Sequence, residues 1–380
     1  MNEKRILFVS HSGNLEYGAA KSLGLVFKYL DSPYDVILTN TIKKNYSKER
    51  IKEYCGRNCK RIMFFDLPLD FSVMKDYSRW NVDYPLRQNL FDYLAGYYRW
   101  IKFLLNRREL FLRIKDECYD CVYLNSSVLH GLIIRPQTII HVRELISNRK
   151  LRRFRRNIIQ AYAVISIDQA VFKSMVSSGI CLNNHFVLTN PFDMTGVERV
   201  NTSYAREKYG LIPSSIVFLV AGVITADKGV KFIVDSFVNC SLENKVLIIA
   251  GRIDTPFSKK LEDEYNNKRN VLFVGEIQQM DELYAITDYL VRGEREFCIG
   301  RTVYEALYSG CRTIIPGSED CLSSIHLEKD QFGRVLFYQP TNAESLQSLF
   351  KSCNEKRIVS CVNTNVKEYI VQFREILEKH

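Results

Sequence analysis

Four short stretches combine glycine with side chains able to do chemistry. The first runs Glu294-Arg295-Glu296-Phe297-Cys298-Ile299-Gly300-Arg301-Thr302-Val303-Tyr304-Glu305 and is closed by Gly310. Ionised carboxylates are strong hydrogen-bond acceptors, so Glu296 and Glu305 together suit the hydroxyls of a sugar and a ribose. An ion pair from Glu296 to Arg295 or Arg301 is the alternative use. The second is Ala221-Gly222-Val223-Ile224-Thr225-Ala226-Asp227-Lys228-Gly229, where Lys228 stands at a helix entrance and can meet an anion. A plain surface lysine would look the same. The third, His141-Val142-Arg143-Glu144, puts three polar side chains where an apolar run ends. His141 there is either a ligand contact or an ordinary buried histidine. The fourth holds Gly13 and Gly18, which permit a tight turn and close backbone approach to a ligand. Their spacing is not GxGxxG, so a nicotinamide or flavin dinucleotide site is poorly supported.

Such loops need a scaffold, and the chain supplies its pattern. Short runs rich in Val, Ile and Phe alternate with longer helical stretches, as in a parallel sheet covered by helices. The first series is 6–10, 36–39, 61–65, 121–124, 138–142, 163–166 and 186–189. The second is 216–220, 246–250, 271–274, 289–291, 313–315 and 335–337. None alternates cleanly, which fits strands buried on both faces. A long helical region over 89–114 carries many aromatics, better read as packing than as a cofactor box. The polar stretch around 190–210 reads as a linker. The expected organisation is α/β, with two Rossmann-like doubly wound domains at 1–195 and 205–360 facing across a cleft. An amphipathic closing helix at 361–380 follows, with Val366, Tyr369, Ile370, Phe373 and Ile376 on one face. Open parallel sheets bind ligands outside the carboxyl ends of their strands, where all four stretches fall.

Composition narrows the class. At 380 residues, 46% hydrophobic and 25% charged, the chain is an ordinary folded protein of two-domain size. The run Ile6-Leu7-Phe8-Val9 is too short for a signal-peptide core, and no apolar run is long enough to span a bilayer, so a cytoplasmic chain is expected. Eleven cysteines, an odd number and scattered, do not form a disulfide framework, and Cys118-x-x-Cys121 lacks a second pair for zinc. The formal charge of +10 is concentrated in Arg149-Lys150-Leu151-Arg152-Arg153-Phe154-Arg155-Arg156. Basic residues beside Leu151, Phe154 and Ile158 suit a peripheral helix on an anionic membrane surface. A solvated helix face is the alternative, and no nucleic-acid fold signature accompanies the patch.

Together these features resemble the GT-B glycosyltransferases of family 4, glycosyl transferases group 1, along essentially the whole chain. Gly300-Arg301-Thr302, Glu305-Ala306 and Gly310 match the family's E-x7-E block. Gly222 with Lys228-Gly229 is similar to its donor-phosphate loop. Gly251 and Gly275 match strand ends that border the nucleotide, and Gly13, Gly18 and His141 match weaker signposts of the first domain. The resemblance implies retaining transfer from a UDP- or GDP-sugar, with no metal and no cofactor, to a glycan or lipid-linked acceptor in surface polysaccharide synthesis. It implies that Lys228 stabilises the leaving diphosphate, Glu305 holds the ribose, Glu296 orients the donor sugar, and His141 contacts that sugar near the reacting carbon. The chain departs from the pattern twice. Eight residues, not seven, separate Glu296 from Glu305, and Val223 stands where many members carry arginine; Arg301 and Arg292 are candidate substitutes. A GT-B nucleotide-sugar epimerase, a phosphorylase and a non-catalytic sugar-nucleotide-binding protein are the competing readings.

Overall fold

The computed structural model describes residues 4–11, 14–15, 18–40, 46–67, 86–146, 151–240, 243–297, 299–359 and 361–379. Contacts divide the chain into two units, Met1–Pro191 with Val366–His380, and Phe192–Asn365.

The first unit is built on strands β1 (Ile6–Ser10), β2 (Tyr34–Thr39), β3 (Cys59–Phe65), β4 (Cys121–Leu124), β5 (Thr138–Val142), β6 (Ala163–Ser166) and β7 (His185–Val187). Helices α1 (Gly18–Tyr29), α2 (Lys48–Cys55), α3 (Leu86–Asp116), α4 (Leu151–Ile158) and α5 (Gln169–Ser177) lie between them. The sheet order is β3-β2-β1-β4-β5-β6-β7, every pair parallel. Strand order reverses between β1 and β4, which is where open sheets place ligands.

Strand residues point alternately to the two faces. Leu7 and Val9 enter one core, Ile6 and Phe8 the other, because helices cover both faces. That double burial explains why the sequence showed no apolar–polar alternation. Of the aromatics expected to pack in the long helix, Phe103 is buried and Tyr98 is exposed; the side chains of Phe91, Tyr93, Tyr97 and Trp100 lie outside the described residues. In α4, Phe154 and Ile158 are sealed in the core, while Arg152, Arg155 and Arg156 face outward. These two apolar positions are therefore occupied internally and are not free to enter a lipid interface. Residues 149–150 and the side chains of Leu151 and Arg153 lie outside the described residues.

The second unit begins with the stretch expected to be an irregular tether, and it is ordered instead. A 3₁₀ turn (Thr195–Arg199) leads to α6 (Thr202–Lys208), whose N-cap Asn201 accepts a hydrogen bond from the Tyr204 amide. Phe192 stacks on Tyr304 and Tyr308, ring centroids 5.3 Å apart in each case. Then follow β8 (Ile216–Ala221), α7 (Val230–Val238), β9 (Lys245–Ala250), α8 (Pro256–Tyr265), β10 (Val271–Gly275), α9 (Asp281–Ile286), β11 (Tyr289–Val291), α10 (Arg301–Tyr308), β12 (Arg312–Pro316), β13 (Val335–Tyr338) and α11 (Ala343–Ser352). The all-parallel order is β10-β9-β8-β11-β12-β13, so the reversal lies between β8 and β11. Val217 and Leu219 again serve one core and Ile216, Phe218 and Val220 the other.

The closing helix α12 (Val366–Glu378) belongs to the first unit. Its expected stripe, Val366, Tyr369, Ile370, Phe373 and Ile376, is buried, and Phe373 meets Tyr123 edge to face at 5.2 Å. Full burial of one such ring is worth about 1.5–3 kcal/mol. Among the described residues no helix is long and apolar enough to cross a membrane.

Candidate functional site

At the reversal point of the second sheet, two loops meet backbone to backbone. Gly229 sits at φ +62°, and a Cβ there would lie 1.7 Å from the Gly293 carbonyl oxygen. Only glycine allows both the left-handed backbone and that approach. The neighbouring strand ends are tied in series: the Gly222 amide donates to the Ala250 carbonyl at 2.9 Å, and the Gly251 amide to Gly275, also at 2.9 Å. Gly222, Gly251 and Gly275 thus line the carboxyl ends of β8, β9 and β10, with Gly222 at φ +124°.

Around that edge, the 3₁₀ turn Ala226–Lys228 brings the Lys228 ammonium 3.5 Å from Glu294 Oε1. Glu294 is buried and takes both arms of Arg292: Nε donates to Oε2 at 3.1 Å, and Nη2 pairs with Oε1. Arg292 also donates from Nη1 to the Thr302 hydroxyl at 2.8 Å, which fixes the fork at the start of α10. Two cations around one carboxylate leave the cluster net positive by one charge. Glu305 projects from α10, accepting from Arg301 Nε at 2.9 Å and from the Tyr284 hydroxyl at 3.1 Å. Burial, with Glu305 next to it, holds the Tyr284 phenol well above its ordinary pKa, so it remains a donor. The Arg301 guanidinium lies 4.7 Å over the ring of Phe192. Among the described residues, the N-caps of α7 and α10, Gly229 and Gly300, make no side-chain cap, leaving backbone N–H groups there suited to an anion.

Glu296 does not join this cluster. It is exposed, and no described residue bonds to it, while Phe297, the residue at strict motif spacing, packs partly against the core. The sequence reading placed Glu294 in a chemical stretch without giving it a role, and named Arg292 only as a helper. The available signal was position: Arg292-Gly293-Glu294 follows directly on β11, beside the reversal point. Val223 is exposed, and Arg292, just after β11, is the second cation on Glu294 beside Lys228.

The first unit carries its own polar network at the carboxyl ends of β1, β4 and β5. His141, fully buried, holds Nδ1 at 3.1 Å from Arg143 Nη2 and 2.7 Å from the Tyr123 hydroxyl. Arginine can only donate, so Nδ1 accepts and the proton of the neutral ring resides on Nε2. That N–H has no hydrogen-bond partner among the described residues. Burial, and secondarily the charge of Arg143, pushes the pKa well below 6.5, so His141 stays neutral. It can donate a hydrogen bond but is a poor proton acceptor. Arg143 is held by the Asn125 carbonyl (3.2 Å), Asn125 Oδ1 (2.9 Å) and Asn190 Oδ1. His11, next along β1, is lowered to about 4 by the same two causes, and its Nδ1 likewise lacks a partner. Gly18 opens α1 at φ +39°; Gly13 lies outside the described residues. Among the described residues no group of three His, Cys, Asp or Glu is placed to hold a metal ion.

The whole chain superposes on solved structures of the two-sheet type. A protein named HepE from Anabaena, solved with UDP and glucose, covers 100% of both chains at TM-score 0.71 and 18% identity. Sucrose-phosphate synthase from Thermosynechococcus elongatus covers 99% of both at 0.68 and 14%. A UDP-GlcNAc 2-epimerase from Neisseria meningitidis, bound to UDP-GlcNAc, covers 99% of this chain and 100% of its own at 0.54 and 11%. Residues 202–357 match the family model for glycosyl transferases group 1. That glycosyl transferases group 1 match spans Lys228, Arg292, Glu294, Arg301, Thr302 and Glu305. The fold is GT-B, α/β with two parallel sheets. No curated protein matches the chain in sequence.

Proposed function

We propose that this chain is a retaining glycosyltransferase that takes a sugar from a UDP- or GDP-sugar to a glycan or lipid-linked acceptor, in surface polysaccharide synthesis on the cytoplasmic side. The observation that carries the reading is the net-positive Lys228–Glu294–Arg292 cluster beside Glu305, at the strand-order reversal and inside the stretch that matches glycosyl transferases group 1.

A departing nucleoside diphosphate gains negative charge, and fixed cations and helix-start N–H groups stabilise it without reorganising. Lys228, 41% exposed, is the cation able to reach a ligand, while Arg292 is held back by Glu294 and Thr302. Glu305, oriented by Arg301 and Tyr284, suits a ribose hydroxyl pair, and Glu296, exposed on its loop, suits the sugar hydroxyls. His141 offers an Nε2–H to a sugar oxygen. Metal is not required in this scheme, since lysine and backbone donors meet the phosphate charge.

A second reading, a sugar-nucleotide-binding protein without transfer, is favoured by one observation: the first motif carboxylate lies outside the buried cluster. Incubating the chain with radiolabelled UDP- and GDP-sugars, with and without oligosaccharide and lipid-linked acceptors, separates the possibilities. Transfer that collapses in Lys228→Ala and Glu305→Ala supports the proposal. Isomerised donor without acceptor would indicate an epimerase, and binding without turnover the second reading.

A further inference from the structure

Helices α3 and α4 cover the same face of the first sheet. Both pack on the 3₁₀ turn Ser127–Leu132, and both feed one core, Phe103, Leu110 and Ile114 from α3 and Phe154 and Ile158 from α4. Arg107 and Phe111 of α3 share a cavity wall with Arg156 and Asn157 of α4, so the two helices are neighbours in this layer.

The side of α3 turned away from that core is apolar. Tyr98 (68% exposed), Ile101, Leu105 (67% exposed) and Leu112 all stand in the open. At 3.6 residues per turn they fall within an arc of about 60°, opposite the buried Phe103, Leu110 and Ile114. The row runs about 21 Å along the helix. A single exposed leucine is commonplace, whereas a contiguous apolar row marks an interaction site. Ile159, just beyond α4, is exposed in the same layer.

Cations border the row. Arg108 and Lys115 lie on the flank of α3 that faces α4, Arg113 lies on the other flank, and Arg152, Arg155 and Arg156 face outward from α4. All six are exposed, and none forms an ion pair with a described residue. From Tyr98 onward α3 exposes two carboxylates, Glu109 and Asp116, and α4 has none. Cations therefore outnumber anions on this layer. An apolar row between bases suits a helix lying in a bilayer interface, with its apolar side at the acyl boundary and its bases among the headgroups. The chain's formal charge of +10 disfavours a second copy on this face, because docking would set like charges against each other. With Phe154 and Ile158 sealed in the core, α4 supplies charge and α3 supplies the apolar contact.

We propose that the outer face of α3, together with the arginines of α4, docks this chain onto an anionic lipid surface. The proposal does not rest on the donor reading, since attachment to a bilayer needs no nucleotide sugar.

The test is co-sedimentation of the whole chain with vesicles of phosphatidylcholine alone and of phosphatidylcholine with phosphatidylglycerol, at low and high salt. Binding is expected on the anionic vesicles and should weaken with salt. Leu105→Gln with Leu112→Gln changes only exposed positions, and it should weaken that binding about tenfold or more. Arg152→Gln with Arg155→Gln should weaken it about tenfold and flatten its salt dependence. Val371→Gln is the control: it is exposed on α12, which packs on the other core of the first unit, and it should change nothing. Absence of binding to the anionic vesicles overturns the proposal, as does undiminished binding in the double leucine variant or an equal loss in Val371→Gln. Sedimentation velocity without vesicles covers the rival occupant. A dimer that the leucine changes split, with vesicle binding intact, would assign the face to a second copy and overturn the proposal.

Discussion

Replacing Glu294 by glutamine should damage the second unit far more than the same change at Glu296. Glu294 is buried, its side chain 9% exposed, and it receives both arms of Arg292, itself 11% exposed. Removing one partner of a buried ion pair costs about 3–5 kcal/mol, because the other charge is left uncompensated. Glutamine keeps an oxygen that can accept from Arg292, so a loss near the lower end, about 3 kcal/mol, is expected. In a domain of 150–250 residues that corresponds to a drop of roughly 6–12 °C in melting temperature. Glu296 is exposed and bonds to no described residue, so Glu296→Gln should move stability by less than about 0.5 kcal/mol. Urea unfolding followed by far-ultraviolet circular dichroism, with the slope checked for constancy, measures both. Equal losses at the two positions, or a silent Glu294→Gln, would refute the assignment of Glu294 as the carboxylate that organises Lys228 and Arg292.

Three further outcomes follow from the same contacts. Arg143→Met should let the His141 ring be protonated at a higher pH and lose its fixed tautomer, seen in nitrogen-15 spectra of the imidazole; an unchanged spectrum would contradict the donor role given to Arg143. Lowering the pH from 6.5 towards 4 should destabilise the first unit, since His11 and His185, both lowered to about 4 mainly by burial, stay neutral when folded while the unfolded chain takes up protons. The sign is therefore stability rising with pH across that window, and a urea midpoint that rose on acidification would contradict it. Gly229→Ala should weaken the second unit by at least about 1–3 kcal/mol through φ strain and the 1.7 Å approach to Gly293, read as a lower urea midpoint.

Much of the scaffold was legible from local chemistry. β4, β5, β6 and β11 run where the apolar, β-branched residues run, because both faces of each are covered and polar residues mark their ends. β2 and β3 begin two residues earlier than the apolar runs suggest. Asp35 and Lys60 are poor strand formers, and the Tyr34–Cys59 pair at the start of the ladder draws them in, Lys60 as the extra residue of a bulge. The segment 192–210 looked irregular because its order comes from stacking on Tyr304 and Tyr308, more than a hundred residues away. The same limit applies to the site. Lys228 and Glu305 could be found because glycine and helix starts flag them locally. Glu294 could not be preferred over Glu296 without knowing that β8 and β11 are neighbours, since only that adjacency brings Lys228 and Arg292 to one carboxylate. In α4 the spacing of Phe154 and Ile158 was read correctly as a stripe, but spacing does not say whether a protein core or a lipid surface receives it.

The central claim, that the edge of the second sheet recognises a diphosphate through Lys228, is tested most directly by calorimetric titration of UDP, UMP, GDP and GMP. For the nucleotide with the right base, the diphosphate should bind at least about tenfold more tightly than the monophosphate, and Lys228→Ala should remove that difference. Equal affinity for mono- and diphosphate, or an unchanged preference in Lys228→Ala, would contradict it.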